Sequence, residues 1–177
     1  IKNKATWLVK WDNYKEISST KPNVILVHGA MARGRSLETI AQSLKQDGYN
    51  PVCVNYFIWE DLYKVKERIE NKFDQVDVLI NTAGGNMKGA IITPDQSLLD
   101  ADADEMRKVV DLNYMGTFLP TKAFLPLLEK SIHGSIINIS SVAAHLPLTR
   151  VMGYSNAKAA IESLTQFLAI EFAQKMQ

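Results

Sequence analysis

From Asn23 onward, short runs rich in valine and isoleucine alternate with longer segments that have the periodicity of amphipathic helices. Four of these runs have the composition of buried strands: NVILVH, PVCVNY, VDVLIN and GSIINIS. Strands that alternate with helices are typical of βαβ units, in which helices connect parallel strands and cover both faces of the sheet. The sequence therefore predicts an α/β fold built on a doubly wound parallel sheet.

The segments between the strands predict helices with one apolar face. A long third helix is expected over 102–130, with a kink or break at Pro120 and Pro126, because proline lacks the N–H that a helix interior uses. A final helix is expected over 154–174, and Gly48 suits the position after the first helix. In the first two helices the residues predicted to face the core are Leu37, Ile40, Ala41, Leu44, Leu62, Val65 and Ile69.

Composition restricts the class of protein. The chain has 177 residues, 46% of them apolar, which fits one compact domain, and 20 basic residues balance 19 acidic ones. The single cysteine, Cys53, excludes an internal disulfide, and His28, His133 and His145 lack the spacing of metal ligands. No run approaches the ~18 apolar residues of a membrane span. These features predict a cytoplasmic protein that binds no metal, membrane or nucleic acid.

Tyr154 and Lys158 stand four residues apart at the start of the predicted final helix. Residues at this spacing lie on one helix face, with Cβ atoms about 5–6 Å apart. A neighbouring ammonium favours the phenolate form of a tyrosine, so the pair could donate and accept a proton. The spacing alone is common on solvated helix surfaces, and it indicates chemistry only in combination with other residues.

Three other elements accompany this pair. Ser141 lies 13 positions before Tyr154, at the carboxyl end of the strand SIINISS, where ligands bind in parallel α/β sheets. Asn113 lies in the middle of a predicted helix, where asparagine has poor propensity. The third strand runs into NTAGG, whose glycines allow the backbone to approach a ligand closely.

These four elements, in this order, resemble the short-chain dehydrogenase/reductase family. The resemblance extends from about Glu60 to the end and rests on VDVLINTAGG, VVDLNYMGTFLPTKAFLPLL and GSIINISSVAAHLPLTRVMGYSNAKAAIESLTQFLAIEFA. It implies a Rossmann-like fold and an NAD(P)-dependent oxidoreductase in which hydride passes between the nicotinamide ring and the carbon bearing the substrate oxygen. It also implies that Ser141 polarises that oxygen, Tyr154 exchanges the proton, Lys158 supports Tyr154 and binds the nicotinamide ribose, and Asn113 holds a water in the proton relay.

The first glycine turn departs from the family pattern of Thr-Gly, three residues and Gly-x-Gly. In VHGAMARGRS, His28 replaces the threonine and Ser36 stands where the last glycine belongs. Arg33 or Arg35 could meet a 2′-phosphate, or both could be solvated loop charges. The cofactor is then NADP or NAD, with NADP slightly favoured because Asn55 is neutral. The expected cofactor-binding residues are Gly29, Arg33, Gly34, Asn55, Asn81, Ala83, Gly84 and Lys158.

Length is the second departure. Only 52 positions separate Gly29 from Asn81, so one strand and one helix that the family normally has there do not fit. We expect a domain over 23–177 that is truncated after the helix with Tyr154, preceded by an extension, 1–22, of unknown role. A non-catalytic Rossmann-like interaction protein therefore remains the alternative. An α/β-hydrolase is disfavoured because no G-x-S-x-G nucleophile motif occurs.

Within the family, the sequence most resembles the sugar-acid branch, which includes fructuronate reductase (D-mannonate oxidoreductase) and gluconate dehydrogenases. The predicted substrate is a small polyol or sugar acid, contacted by Ser141, Tyr154 and Arg150. Arg150 could pair with a substrate carboxylate, or it could be a surface residue near a dimer contact. The resemblance also implies a homodimer or homotetramer formed through helices at 104–130 and 153–174.

Overall fold

The computed structural model describes residues 20–28, 35–55, 59–146, 148 and 150–175. Nearly all of the extension predicted over 1–22 lies outside these residues. The chain divides into two compact units. The first runs up to Thr82 and includes Leu119–Ile137, and the second consists of Ala83–Phe118 and Asn138–Gln177.

Four strands form one parallel sheet with the order β2-β1-β3-β4. β1 pairs in parallel with β2 on one side, where Asn23 lies opposite Asn50, and with β3 on the other, where Val24 lies opposite Val78. The predicted α/β sheet is thus confirmed. The strands are β1 (Asn23–His28), β2 (Asn50–Asn55), β3 (Val78–Asn81) and β4 (Ser135–Asn138).

Helices occupy the segments predicted for them, and α2 is the one helix among the described residues between β2 and β3. Short 3₁₀ turns occur at Lys88–Ala90, Leu98–Asp100 and Val142–Ala144, and a π-helical turn at Asp111–Met115 joins α3 to α4. The helices are α1 (Arg35–Gln46), α2 (Trp59–Glu70), α3 (Ala103–Val110), α4 (Gly116–Leu128) and α5 (Met152–Lys175).

Alternate side chains of β1 enter two separate cores, because successive residues of a strand point to opposite faces. Ile25 and Val27 pack with residues of α2 and α4, whereas Val24 and Leu26 pack with Leu37 of α1. Each buried aliphatic side chain contributes about 1.5–3 kcal/mol relative to an exposed one. Helices therefore cover both faces of the sheet, as the doubly wound prediction requires.

The inward faces of the first two helices were predicted correctly except at one residue. Leu62, Val65 and Ile69 of α2 are buried, and Leu37 of α1 is buried, but Ile40 is 43% exposed. The apolar stripe of α1 is narrower than its sequence suggests, because helical periodicity sets the direction of a face but not its width. Ala41 and Leu44 of α1 are partly buried against the core formed by Val24, Leu26 and Leu37. After α1, Gly48 has φ +90°, the left-handed conformation expected there.

Of the kink or break expected at Pro120 and Pro126, the break does not occur. Both prolines lie inside α4, and the irregularity falls upstream, in the π turn Asp111–Met115. An interior proline costs a helix about 3 kcal/mol. Burial of Phe124 and neighbouring side chains of α4 in the core of the first unit offsets this cost.

The second unit is built around α5, which packs against α3, the π turn and the 3₁₀ turn Val142–Ala144. Val109 of α3 and Ile161 of α5 are fully buried. Gly153 allows close packing, because a Cβ there would lie 2.7 Å from Met106 Sδ. No helix in the described part of the chain combines the length and apolarity needed to cross a membrane.

Candidate active site

Tyr154 and Lys158 lie on the first turns of α5, as predicted. The Nζ atom of Lys158 is 5.7 Å from the centroid of the Tyr154 ring. Lys158 is only 3% exposed, and its ammonium donates a hydrogen bond of 2.8 Å to the carbonyl of Ile139, just after β4. A cation is thus fixed beside the phenol by both burial and a backbone hydrogen bond.

The charge of Lys158 is costly where it lies. Burial lowers the pKa of Lys158 below its ordinary value of 10.5, because desolvation penalises the ammonium form. No described carboxylate forms an ion pair with it. A buried cation without a protein counter-ion is the kind of group that occurs at functional sites.

Gly84 provides the space in which the ammonium lies. Its φ is +151°, and a Cβ at this position would lie 2.6 Å from Asn113 Oδ1 and 2.9 Å from Lys158 Nζ. Any side chain would therefore collide with two of the predicted site residues. The glycine in NTAGG is required by these contacts, in addition to any role in ligand binding.

Asn113 joins this turn to the long helical segment. Its Nδ2 donates to Gly85 O at 2.7 Å and to Val109 O at 2.8 Å, and its Oδ1 accepts from Gly85 N at 3.1 Å. Asn113 is fully buried within the π turn. The asparagine that has poor helix propensity thus holds the glycine turn in place.

Thr117 was not identified from the sequence. It is almost fully buried, and its Oγ1 donates to the carbonyl of Asn113 at 3.0 Å. A threonine four residues after the asparagine is the only sequence signal for this contact. The Thr117 hydroxyl therefore binds the backbone carbonyl of the residue that holds the glycine turn.

Ser141 follows β4, as predicted, and begins the 3₁₀ turn Val142–Ala144. Its Oγ accepts a hydrogen bond of 3.2 Å from the backbone N–H of Ala143. Because the oxygen acts as an acceptor in this contact, its hydrogen is available for donation to another group. Ser141 lies two residues after Ile139, whose carbonyl binds Lys158.

The structure therefore brings Asn113 and Lys158 together at Gly84, with Tyr154 beside Lys158, and places Ser141 on the strand extension that Lys158 binds. All of these residues belong to the second unit. Arg150, the predicted carboxylate contact, is exposed on the loop before α5. Its φ is +78°, and its carbonyl accepts from Ile92 N at 3.1 Å.

The predicted cofactor-binding residues of the first unit are described only in part. Asn81 ends β3 and is fully buried, and its Nδ2 donates to Thr121 Oγ1 at 3.0 Å. Asn55 ends β2 opposite His28 of β1. Ala83, which begins the second unit, is fully buried. Gly29, Arg33 and Gly34 lie outside the described residues.

Comparison with known proteins gives consistent matches. A sequence profile of the short chain dehydrogenase family matches residues 16–176. An uncharacterized oxidoreductase of Haemophilus influenzae is 33% identical over 172 residues, which cover 90% of this chain and 59% of that protein. The uncharacterized oxidoreductase UxuB of Bacillus subtilis is 39% identical over 121 residues, which cover 64% of this chain and 44% of that protein. The chain thus spans less than two thirds of the length of these two relatives.

A solved structure gives the same result. A protein from Haemophilus influenzae, provisionally assigned as a D-mannonate oxidoreductase and holding NAD, is 29% identical to the chain. The TM-score is 0.68, and the match covers 88% of this chain and 68% of that one. This similarity agrees with the resemblance to the sugar-acid branch. Since the family profile covers nearly the whole sequence and the Asn113, Ser141, Tyr154 and Lys158 positions occur in the expected order, the chain belongs to the short-chain dehydrogenase family.

Proposed function

We propose that the chain is, or is part of, a nicotinamide-dependent oxidoreductase that interconverts a secondary alcohol and a carbonyl in a small polyol or sugar acid. The observation that carries this proposal is the buried ammonium of Lys158, held 5.7 Å from the Tyr154 ring by the carbonyl of Ile139. For stability alone this arrangement is a poor one, because burial penalises the ammonium and its only described polar protein partner is a backbone carbonyl.

The donor set fits the ribose of a nicotinamide dinucleotide. An ammonium has three N–H donors, and the structure shows one of those of Lys158, bonded to Ile139 O. The remaining donors match vicinal ribose hydroxyls, and Gly84 leaves the backbone beside them without a side chain. Asn81, Ala83 and Gly84 would form the turn next to the dinucleotide, and Gly29, Arg33, Gly34 and Asn55 its phosphate and ribose contacts.

When bound, the dinucleotide supplies the hydride acceptor or donor, which is chemistry no side chain provides. The protein's part is to move the proton. In alcohol oxidation Tyr154 accepts the hydroxyl proton as general base, and in carbonyl reduction it returns that proton. The Lys158 ammonium stabilises the negative charge that develops on the phenol oxygen, because the two groups lie close in a largely buried setting.

Ser141 and Asn113 complete the proton pathway in this proposal. The Ser141 hydroxyl donates to the substrate oxygen, while the backbone N–H of Ala143 holds its own oxygen in place. In the family resemblance Asn113 holds a water of the proton relay, and we propose that it does so here, beside Lys158. General acid–base assistance of this kind contributes about 10²–10⁴-fold in rate.

The substrate class rests on Arg150 and on one similar structure. A guanidinium pairs with a carboxylate in bidentate geometry, and Arg150 is exposed four residues before Tyr154. The similar Haemophilus protein is provisionally assigned as a D-mannonate oxidoreductase, and it holds NAD. Sugar acids are therefore the first substrates to test, with both NAD and NADP.

We further propose that the protein is cytoplasmic and works as a homodimer or homotetramer. An apolar groove of about 530 Å³ opens between α3 and the start of α5, in the region where the family resemblance predicts subunit contacts. Its lining includes Ala101, Ala103, Met106, Val110, Met152 and Gly153. Light scattering coupled to gel filtration measures the mass directly; a monomer at micromolar concentration contradicts this part of the proposal.

The alternative, a non-catalytic interaction protein, draws support from the single helix, α2, between β2 and β3. The test is reduction of NAD⁺ or NADP⁺ with a panel of hexonates and polyols, followed at 340 nm. Wild type should turn over at least one sugar acid, and Tyr154→Phe should lose about 10²-fold or more of kcat. Absence of turnover with every compound favours the alternative, and full activity of Tyr154→Phe refutes the proton role.

A further inference from the structure

Glu162 lies on α5 one turn after Lys158, on the same helix face, and the site described above does not use it. One of its carboxylate oxygens accepts a hydrogen bond of 2.8 Å from Ser140 Oγ and contacts His145 Nε2 at 3.1 Å. The side chain of Glu162 is 30% exposed and that of His145 70% exposed. A single carboxylate thus holds two side chains that come from outside its own helix.

These two partners flank Ser141. Ser140 immediately precedes it, and His145 ends the 3₁₀ turn that Ser141 begins. The bond from Ala143 N shapes this turn locally but does not fix it to anything else. Glu162 therefore fastens both ends of the short segment that presents the Ser141 hydroxyl.

Other contacts fasten the same strand extension to α5. Asn138 Nδ2 donates to Thr165 Oγ1 at 2.9 Å, and Lys158 Nζ donates to Ile139 O at 2.8 Å. Lys158 and His145 are the described basic side chains beside Glu162 on these elements. Since the Lys158 ammonium is directed to Ile139 O, Ser140 and His145 are the partners that the carboxylate holds. Hydrogen bonds to an ionised oxygen are roughly twice as strong as neutral ones.

We propose that Glu162 is a positioning residue for Ser141: by binding Ser140 and His145 it fixes the position and orientation of the serine hydroxyl. The proposal rests on the oxidoreductase function proposed above. The partly buried bond to Ser140 carries most of the effect, because an ion pair as exposed as that with His145 is weak. The carboxylate touches neither substrate nor cofactor.

The kinetic test compares Glu162→Ala with Glu162→Gln. A shift of a catalytic group by about 1 Å costs up to about 10²-fold in rate, so Glu162→Ala should lower kcat by about 10- to 100-fold. The dissociation constant of the dinucleotide and the melting temperature should change little, which a general loss of stability would not allow. Glu162→Gln should recover most of kcat, because its amide oxygen still accepts from Ser140.

Two further variants sharpen this comparison. Ser140→Ala should lower kcat at least as much as Glu162→Ala, because it removes the bond to Glu162 and also a longer one, of 3.3 Å, from Ser140 Oγ to Lys158 O. The double variant should be no worse than Ser140→Ala, because the bond between the two side chains is already absent there. Glu171→Ala, which removes a glutamate farther along α5, is the matched control and should retain wild-type kcat. Equal kcat for Glu162→Ala and wild type overturns the proposal, as does a glutamine variant as slow as the alanine variant.

Amide hydrogen exchange separates this proposal from the proposed function. Even in a chain without turnover, Glu162→Ala should speed exchange of the amides over 139–146 several-fold. Exchange along α5 should stay unchanged, and Glu162→Gln should restore protection over 139–146. If exchange of this segment is the same in wild type and Glu162→Ala, Glu162 does not order it, and the positioning role is refuted whether or not the protein is active.

Discussion

The side chain of Asn113 exchanges hydrogen bonds with the backbone of Gly85 in both directions, donating to its carbonyl at 2.7 Å and accepting from its N–H at 3.1 Å. A side-chain amide offers a donor and an acceptor side by side, which matches the N–H and C=O of one backbone residue. The Asn113 side chain therefore pairs with the backbone of the glycine turn as one β-strand pairs with the next, through one donated and one accepted hydrogen bond. Its stability role can be measured independently of turnover.

Asn113→Ala should lower the free energy of unfolding by about 2–4 kcal/mol, because it removes a buried side chain together with its hydrogen bonds to the part-buried N–H and C=O of Gly85 and to Val109 O. Asn113→Asp should cost at least as much, since a second carboxylate oxygen would face two carbonyls. Urea unfolding provides the measurement. Asn156→Ala, at an exposed position of α5, is the control and should be neutral or slightly stabilising.

Gly84→Ala should destabilise the protein much more than Gly48→Ala. Both residues have positive φ, but a Cβ at Gly48 meets nothing within 4 Å, whereas one at Gly84 meets Asn113 and Lys158. We expect about 1–2 kcal/mol for Gly48→Ala from backbone strain alone. In Gly84→Ala the steric collision adds to the backbone strain, so we expect the free energy of unfolding to fall by about 2–5 kcal/mol in total. Equal losses in urea unfolding of the two variants would show that the Gly84 contacts are not restrictive.

Lys158 should make the free energy of unfolding increase with pH in alkaline solution. Burial lowers its pKa in the folded state, so the unfolded chain binds more protons in the interval that ends near the ordinary lysine pKa of 10.5. The contribution of Lys158 to the free energy of unfolding is therefore lowest at pH values below that interval, and it increases as pH rises through it. Lys158→Met should lack this increase. The free energy of unfolding of wild type minus that of Lys158→Met should therefore become more positive as pH increases. A difference that stays constant from pH 7 to pH 10 contradicts this prediction.

Arg150 adopts φ +78°, a conformation that glycine tolerates and β-branched residues avoid. Arg150→Gly should leave the melting temperature nearly unchanged, because the gain from relieved strain and the cost of a more flexible unfolded chain are both about 1 kcal/mol. Arg150→Val should lower it clearly. If Arg150 also binds a substrate carboxylate, Arg150→Gly should raise KM for sugar acids but not for neutral polyols.

The sequence predicted the residues whose spacing is fixed along one element. Tyr154 and Lys158 share a helix face, and the core positions Leu62 and Val65 follow helical periodicity. It did not predict contacts that depend on the path of the backbone. The π turn, which lies upstream of Pro120, and the bonds from Asn113 to Gly85 are of this kind.

The burial of individual side chains was the second feature that the sequence did not fully predict. Ile40 has the spacing of a core residue but is 43% exposed, because helical periodicity sets the direction of a face and not its width. The partners of Glu162 come from a different element, and pairing between elements leaves no periodic signal in the sequence. For the same reason, the sequence did not predict the contact between Ser140 and Glu162.

The most direct test of the account is an isothermal titration of the 177-residue chain with NADH and with NADPH, in wild type and in Tyr154→Phe. The account predicts saturable binding of at least one dinucleotide, with closely similar affinity in the two proteins, because the ribose contacts belong to Lys158 and the proton transfer to Tyr154. Lys158→Met should weaken that binding by about 10-fold, the value of one charge-assisted hydrogen bond. Failure of wild type to bind either dinucleotide at millimolar concentration would contradict the central claim.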